Sequence, residues 1–242
     1  RNLKPDKRKG RKKRYLLIPL FLVLLLGAGV LLMLRWRAWF GNPPEAPYHT
    51  PEEITRVTLT PGSDFTTERT LSWRSGEYLV PSALTLQEIT ARGDTLAARR
   101  IPALGRLVKS RSGKGCFYHV SLDSLHVGSR YLYQLQSGEQ RSPVYSFAMP
   151  SERECDTTRF VYLGDVQDPQ AQMSTTFFRE LRERLDDSIQ FLALAGDQIE
   201  GPTDHYWQCW YQALQGWSTR LPIIAAPGNH EYLKRGFARE LD

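Results

Sequence analysis

Three residues able to hold a cation stand at even intervals along the second half of the chain: Asp165, Asp197 and Asn229, each directly after a glycine. Two carboxylates brought close together repel unless a cation sits between them, so their convergence would point to a metal site. Gly164, Gly196 and Gly228 allow the backbone to turn sharply beneath each donor. His230, beside Asn229, can donate a proton or ligate. A single Gly-Asp pair is common by chance. Three matches in register, closed by Gly228-Asn229-His230-Glu231, are specific.

The donors must be positioned by what precedes them. Segments 159–165, 190–197 and 222–229 each read as a buried strand ending in the glycine and its donor, and helix-length amphipathic stretches separate them, the first about twenty residues long. Such β-α-β-α-β units lay their strands parallel through right-handed crossovers, so all three donors fall on one sheet edge, where open α/β folds place their sites. Asp168-Pro169 reads as a helix start. Trp207, Trp210, Tyr211, Leu214 and Trp217 recur at helical spacing and read as a helix face packed on the sheet. His205 reads as a surface or capping residue of that helix.

At these residues the chain resembles the calcineurin-like metallophosphoesterase superfamily, whose pattern is Gly-Asp, Gly-Asp, then Gly-Asn-His-Asp/Glu on successive strands. With the domain that precedes it, the arrangement is similar to the purple acid phosphatases. The resemblance covers about residues 52–242. It implies that Asp165 binds one metal, Asp197 bridges two, and Asn229 binds the second and orients the phosphate, while His230 stabilises or protonates the leaving group. A bridged pair of ions, divalent or of mixed valence (Fe, Mn, Zn or Mg), would then clamp phosphoryl oxygens and generate the hydroxide that attacks.

The chain departs from that pattern in three places. The superfamily commonly has Asp-x-His and the purple phosphatases Asp-x-Gly, whereas this chain has Asp165-Val166-Gln167. Where the purple enzymes carry a tyrosine three residues past the second aspartate stands Glu200. Gln167 and Glu200 supply oxygen donors and favour hard ions such as Mn, Mg or Fe(II) over a tyrosinate-bound Fe(III). The later histidines of the superfamily have no counterpart before Asp242, so the sequence reads as a carboxyl-terminally truncated fragment, inactive by itself.

Ahead of this segment, residues 52–150 carry short alternating runs: Val57 and Leu59; Leu71 and Trp73; Cys116, Tyr118, Val120 and Leu122; Tyr131, Tyr133 and Leu135; Tyr145 and Phe147. A period of two broken by turn residues predicts an antiparallel β-sandwich. Within it, Leu122-x-x-Leu125-x-x-Gly128-x-x-Tyr131-x-Tyr133 resembles the fibronectin type III pattern, which implies a tyrosine hydroxyl closing a corner. Arg92-Gly93-Asp94 reads as a turn. No catalytic constellation occurs here, and a spacer or substrate-shaping module is expected.

The formal net charge of +6 belongs to one end. Residues 1–37 hold eleven basic residues and one acid, which leaves the rest mildly acidic and argues against a nucleic-acid-binding body. A basic tail (1–14) precedes a charge-free stretch (15–34) long enough to cross a bilayer, and Arg35-Trp36-Arg37 follows with no cleavage pattern. The positive-inside rule keeps the tail cytoplasmic and sends the remainder across. Residues 35–51, with Pro43, Pro44, Pro47 and Pro51, form a stiff linker. Cys116, Cys155 and Cys209 match no zinc spacing and read as packing residues first.

The expected architecture is one transmembrane helix, an all-β sandwich domain, and the amino-terminal half of an α/β metallophosphoesterase sandwich (157–242). The expected function is a single-pass, extracytoplasmic, metal-dependent phosphoesterase acting on phosphate esters. Its partners are that substrate and the membrane, with no nucleic acid bound by the tail. The rival is an inactive module of the same fold serving surface binding or adhesion.

Overall fold

The structure is a computed structural model that describes residues 7–42, 44–170, 172–185, 188–235 and 238–241. Of the features read from sequence, Arg1–Asp6, Pro43 and the side chains of the basic run and of Cys155 lie outside the described residues. The chain divides into two units, Arg1–Asn42 with Lys234–Arg239, and Pro43–Leu233 with Glu240–Asp242.

The first unit is built on α1 (Lys7–Phe40), a helix of 34 residues. Its apolar window is Leu17–Trp36, with mean hydropathy 2.8 and no part buried against protein. The window overlaps the charge-free stretch 15–34 over residues 17–34. A helix satisfies its own backbone hydrogen bonds, which is what a lipid environment demands. By length and composition α1 suits a membrane span, and a signal sequence passes the same test.

In the second unit, alternation of apolar residues builds two antiparallel sheets. The strands are β1 (Thr55–Pro61), β2 (Arg69–Arg74), β3 (Ser82–Ile89), β4 (Arg99–Pro102), β5 (Leu104–Lys109), β6 (Lys114–Leu122), β7 (Arg130–Ser137), β8 (Gln140–Arg141) and β9 (Tyr145–Ala148). One sheet runs β1-β2-β6-β5; the other runs β4-β3-β7, with β8 and β9 both paired to β7. Their inward faces share one core, centred on Leu71, Trp73, Leu84, Tyr118, Tyr133 and Leu135. Trp73 crosses that core, stacking on Tyr118 and donating its Nε1–H to Ser137 Oγ at 2.9 Å. Loss of so large a buried ring costs about 3–5 kcal/mol.

The Tyr131 hydroxyl accepts the His126 N–H at 2.9 Å and closes the turn at Gly128. Arg92-Gly93-Asp94 is a turn held by Gly93 N–H to Thr90 O. Cys116 is buried and packs as expected.

After α2 (Glu152–Cys155) the period changes. Strands β10 (Phe160–Leu163), β11 (Phe191–Leu194) and β12 (Ile223–Ala225) pair in parallel, in that order. The crossovers carry α3 (Gln172–Arg184) and α4 (Asp204–Ala213), and β13 (Tyr232–Arg235) and β14 (Ala238–Leu241) follow. The first crossover helix has 13 residues rather than about twenty, because residues 164–170 are not helical. Within that stretch the Asp168 carboxylate accepts the N–H groups of Gln170, Met173 and Ser174 and caps the first turn.

Phe178, Trp210, Leu214 and Trp217 are buried against Leu192, Leu194 and Ile223. Trp217 belongs to a turn beyond α4 rather than to the helix, and its Nε1–H donates to Phe178 O at 3.0 Å. The sandwich and the α/β segment are stitched through β1 and the turn after α4: Leu59 N–H donates to Ser218 O, and the Tyr133 hydroxyl donates to Thr219 O at 2.7 Å.

Candidate metal centre

The parallel register sets Leu163, Leu194 and Ala225 level with one another, so the loops that follow begin on one edge. Two backbone bonds join the first pair of loops: Asp165 N–H to Gly196 O, and Val166 N–H to Asp197 O, both 3.1 Å. Both aspartates occupy the left-handed region, Asp165 at φ 58° and Asp197 at φ 53°. That region is costly for most side chains and least so for Asp and Asn, and such outliers cluster at functional sites.

Two glycines are required here by contact. A Cβ on Gly196, itself at φ 93°, would lie 2.7 Å from the Cα and N of Gly228. A Cβ on Gly228 would collide with the Asp197 carboxylate and amide. The loops after β11 and β12 therefore pass backbone against backbone, with Asp197 directly over Gly228.

Glu231 holds this crossing together. It is 3% exposed. Its Oε2 accepts the N–H groups of Gly228 at 2.6 Å and Asp197 at 3.0 Å, and its Oε1 accepts those of Gln198 at 2.6 Å and Ile199 at 3.3 Å. Gln198 adds a side-chain donation to Ala226 O. With both oxygens engaged by the backbone, Glu231 is a positioning residue. Sequence reasoning passed over it as the end of a motif, although an acidic residue two places after a strand-end asparagine was a visible sign.

His230 is tied at two points. Its backbone N–H donates to Asp197 Oδ1 at 2.9 Å, and its ring Nδ1 lies 2.7 Å from the Glu200 carbonyl oxygen. A carbonyl only accepts, so Nδ1 carries a proton and is the ring atom that donates to it. Glu200 thus meets His230 through its backbone carbonyl.

Gln167 is half-buried with its Oε1 buried and unpartnered. Asn229 is exposed in the loop after β12, and Asp165 is exposed as well. His205 lies exposed on α4, its Nε2 3.8 Å from Cys209 Sγ, on a helix surface as expected.

The structure therefore brings Asp165, Asp197 and His230 to one edge, and carries Gln167 and Asn229 on the flanking loops. Among the described residues, no group of three or more His, Cys, Asp or Glu side chains closes on a single point.

A fold comparison places this geometry in context. Over 75% of this chain, and 36% of the other, the structure superposes on a purple acid phosphatase from seeds of yellow lupin (Lupinus luteus), with a TM-score of 0.57 and 17% identity. PhoD matches with a TM-score of 0.47 and 15% identity over 78% of this chain and 40% of that one. The FN5 domain of Drosophila Lar matches 42% of this chain at 17% identity, with 98% of its own length covered and a TM-score of 0.28. The chain thus spans less than half the length of either of these first two structures. No family model matches it, and no curated protein matches it. The likeness to the lupin enzyme is one of fold.

Proposed function

We propose that this chain is the membrane-anchored, amino-terminal part of an extracytoplasmic metal-dependent phosphoesterase acting on phosphate esters. In this reading α1 is an uncleaved anchor with a cytoplasmic amino terminus. Residues 52–150 form a fibronectin type III-like sandwich that shapes access, and residues 157–242 form the first half of the catalytic domain. The observation that carries it is the pair of left-handed aspartates on adjacent strand-end loops, fastened to the loop after β12 by Glu231.

The residues fit a hard cation. Asp165 and Asp197 supply charge, Asn229 and Gln167 supply neutral oxygen, and the buried unpartnered Gln167 Oε1 is an acceptor in want of a positive partner. When bound, divalent metal would polarise the phosphoryl group and activate water. Asp165, Asp197, Asn229 and Gln167 would hold the metal, and Asn229 would also orient the ester. His230, protonated, would give the Nε2 proton to the leaving oxygen while the Glu200 carbonyl holds the ring in place.

Two hard divalent ions need about six or seven protein donors around them, and this chain offers at most five, the four oxygen donors and His230, two of them anionic. The chain alone is therefore expected to hold metal weakly and to show no turnover of an aryl phosphate. The absence of a closed His/Cys/Asp/Glu cluster among the described residues favours a second reading, an inactive surface-binding module of the same fold. Assay of a form carrying further donors separates the two. Metal-dependent hydrolysis that falls about 10²-fold or more in Asp197→Ala supports the enzyme, and no hydrolysis with any divalent metal supports the binding module.

A further inference from the structure

Between the sandwich and α4, within the second unit, lies a cavity of about 240 Å³. The sandwich contributes Arg56, Arg74 and Phe117 to it, and α4 contributes Asp204, Trp207 and Tyr211. It adjoins a larger groove of about 950 Å³, which shares Arg56, Arg74, Asp204 and Tyr211 and adds Gln208 and Gln212.

Its charges are matched. Asp204 Oδ1 accepts from Arg56 Nη2 and Arg74 Nη1, and the Asp204 N–H donates to Glu45, the fourth charged residue of the lining. The Arg56, Arg74 and Asp204 side chains are only 10%, 6% and 13% exposed. Hydrogen-bonding capacity is left over all the same. Among the described residues, Arg56 Nη1, Arg74 Nη2 and Asp204 Oδ2 make no hydrogen bond, and none of the three is sealed from solvent. Donors and an acceptor standing together without partners point to a ligand that serves both. The backbone holds Arg56 there at a cost, because it sits at φ 53° in a bulge between Thr55 and Thr58, and bulges re-aim side chains.

Two arginines against two acids leave no net charge for an ion to neutralise. An amino-acid zwitterion needs its cationic and anionic partners apart, whereas here both arginines share one Asp204 oxygen. A hydroxyl donates one hydrogen bond and accepts two, so neighbouring hydroxyls can span Asp204 Oδ2 and the guanidinium edges. Phe117, Trp207 and Tyr211 supply apolar walls on which the C–H face of a sugar ring leaves water. At about 30 Å³ per water the cavity holds roughly eight, more than a bridging water needs and enough for one pyranose.

We propose that the cavity binds one pyranose unit of a neutral oligosaccharide and that the groove along Gln208 and Gln212 takes the next units. Arg56, Arg74 and Asp204 fix the hydroxyls, and the aromatic walls take the ring. The site is independent of the metal edge and of the functional reading above.

The test uses the full chain in lauryldimethylamine oxide, a detergent without a sugar headgroup, with chelator present so that the metal edge holds no ion. Maltotriose, cellotriose, mannotriose and triacetylchitotriose are titrated by calorimetry, with glycine and inorganic phosphate as charged comparisons. Saturable one-site binding of a neutral trisaccharide is expected, and none of glycine or phosphate. Binding should weaken about tenfold or more in Trp207→Leu and in Arg74→Lys, which keeps the charge beside Asp204 and loses Nη2. Gln208 is exposed on α4, so Gln208→Ala leaves the core intact even if either of those variants fails to fold. It should weaken the trisaccharide and leave binding of the matching monosaccharide unchanged. The proposal is overturned if no trisaccharide binds saturably, if Gln208→Ala and every folded variant bind as the parent does, or if glycine or phosphate binds more tightly than any sugar.

Discussion

Glu231 Oε2 accepts the backbone N–H of Asp197 at 3.0 Å, from a carboxylate that is almost wholly buried. This bond decides where Asp197 sits, because the same oxygen also holds Gly228 and the other oxygen holds Gln198 and Ile199. Replacing the carboxylate by an amide turns one acceptor into a donor facing N–H groups. Glu231→Gln should therefore lower stability by about 2–3 kcal/mol, the scale of hydrogen bonds to a charged group. It should also weaken metal binding about 10- to 100-fold, as loss of an outer-shell partner does. Urea denaturation alongside a Mn²⁺ titration reads both, and a variant with unchanged metal affinity would remove Glu231 from the site.

The left-handed backbone at Asp165 predicts effects of opposite sign on stability and binding. Asp165→Gly relieves the positive φ of 58° and should leave the melting temperature unchanged or higher while metal binding falls. Asp165→Val, β-branched at the same φ, should cost about 1 kcal/mol or more. Thermal melts of the two variants give the comparison, and equal melting temperatures would mean that the backbone stores no strain there.

The order of the parallel strands and their donors was legible because buried strands ending in Gly-Asp, Gly-Asp and Gly-Asn mark one edge whatever the helices do. A helix start near Asp168-Pro169 was legible for the same local reason, although α3 itself begins at Gln172 and leaves Pro169 outside it. Strands β3 to β5 were not, since β5 is exposed along its whole length and carries no alternation. The burial of Glu231 and the crossing of Gly196 over Gly228 depend on contacts between loops distant in sequence. Local pattern carries no record of such contacts.

Asp204 is the counter-ion of two buried arginines. Its Oδ1 accepts from both Arg56 and Arg74, and its backbone N–H donates to Glu45 at 2.6 Å. Asp204→Ala leaves two like charges buried together, and burial already pulls the Arg56 pKa down with Arg74 adding to it. The expected loss is about 3–5 kcal/mol, read by urea denaturation. A loss below about 1 kcal/mol would place the group in solvent, where such pairs contribute little.

Acid should weaken the start of α3. Burial pushes the Asp168 carboxyl up, but donation from the Ser174, Gln170 and Met173 N–H groups outweighs it and holds the pKa below the ordinary value of 3.8. A depressed carboxylate stabilises the fold above its ordinary pKa, and that contribution disappears as pH falls through the folded value. Asp168→Ala should cost about 1 kcal/mol at pH 7, as loss of a helix cap does, and much less near pH 2. A difference from the parent that stays constant across that range would contradict the cap.

Manganese binding followed by electron paramagnetic resonance on the full chain tests the central claim most directly. The account predicts that the spectrum of free Mn²⁺ is attenuated on addition of the parent chain, weakly but saturably, and that Asp165→Ala and Asp197→Ala each restore the free-ion signal while Glu200→Ala does so less. Binding that survives both aspartate substitutions, or no attenuation at millimolar chain and metal, would contradict a metal centre on this sheet edge.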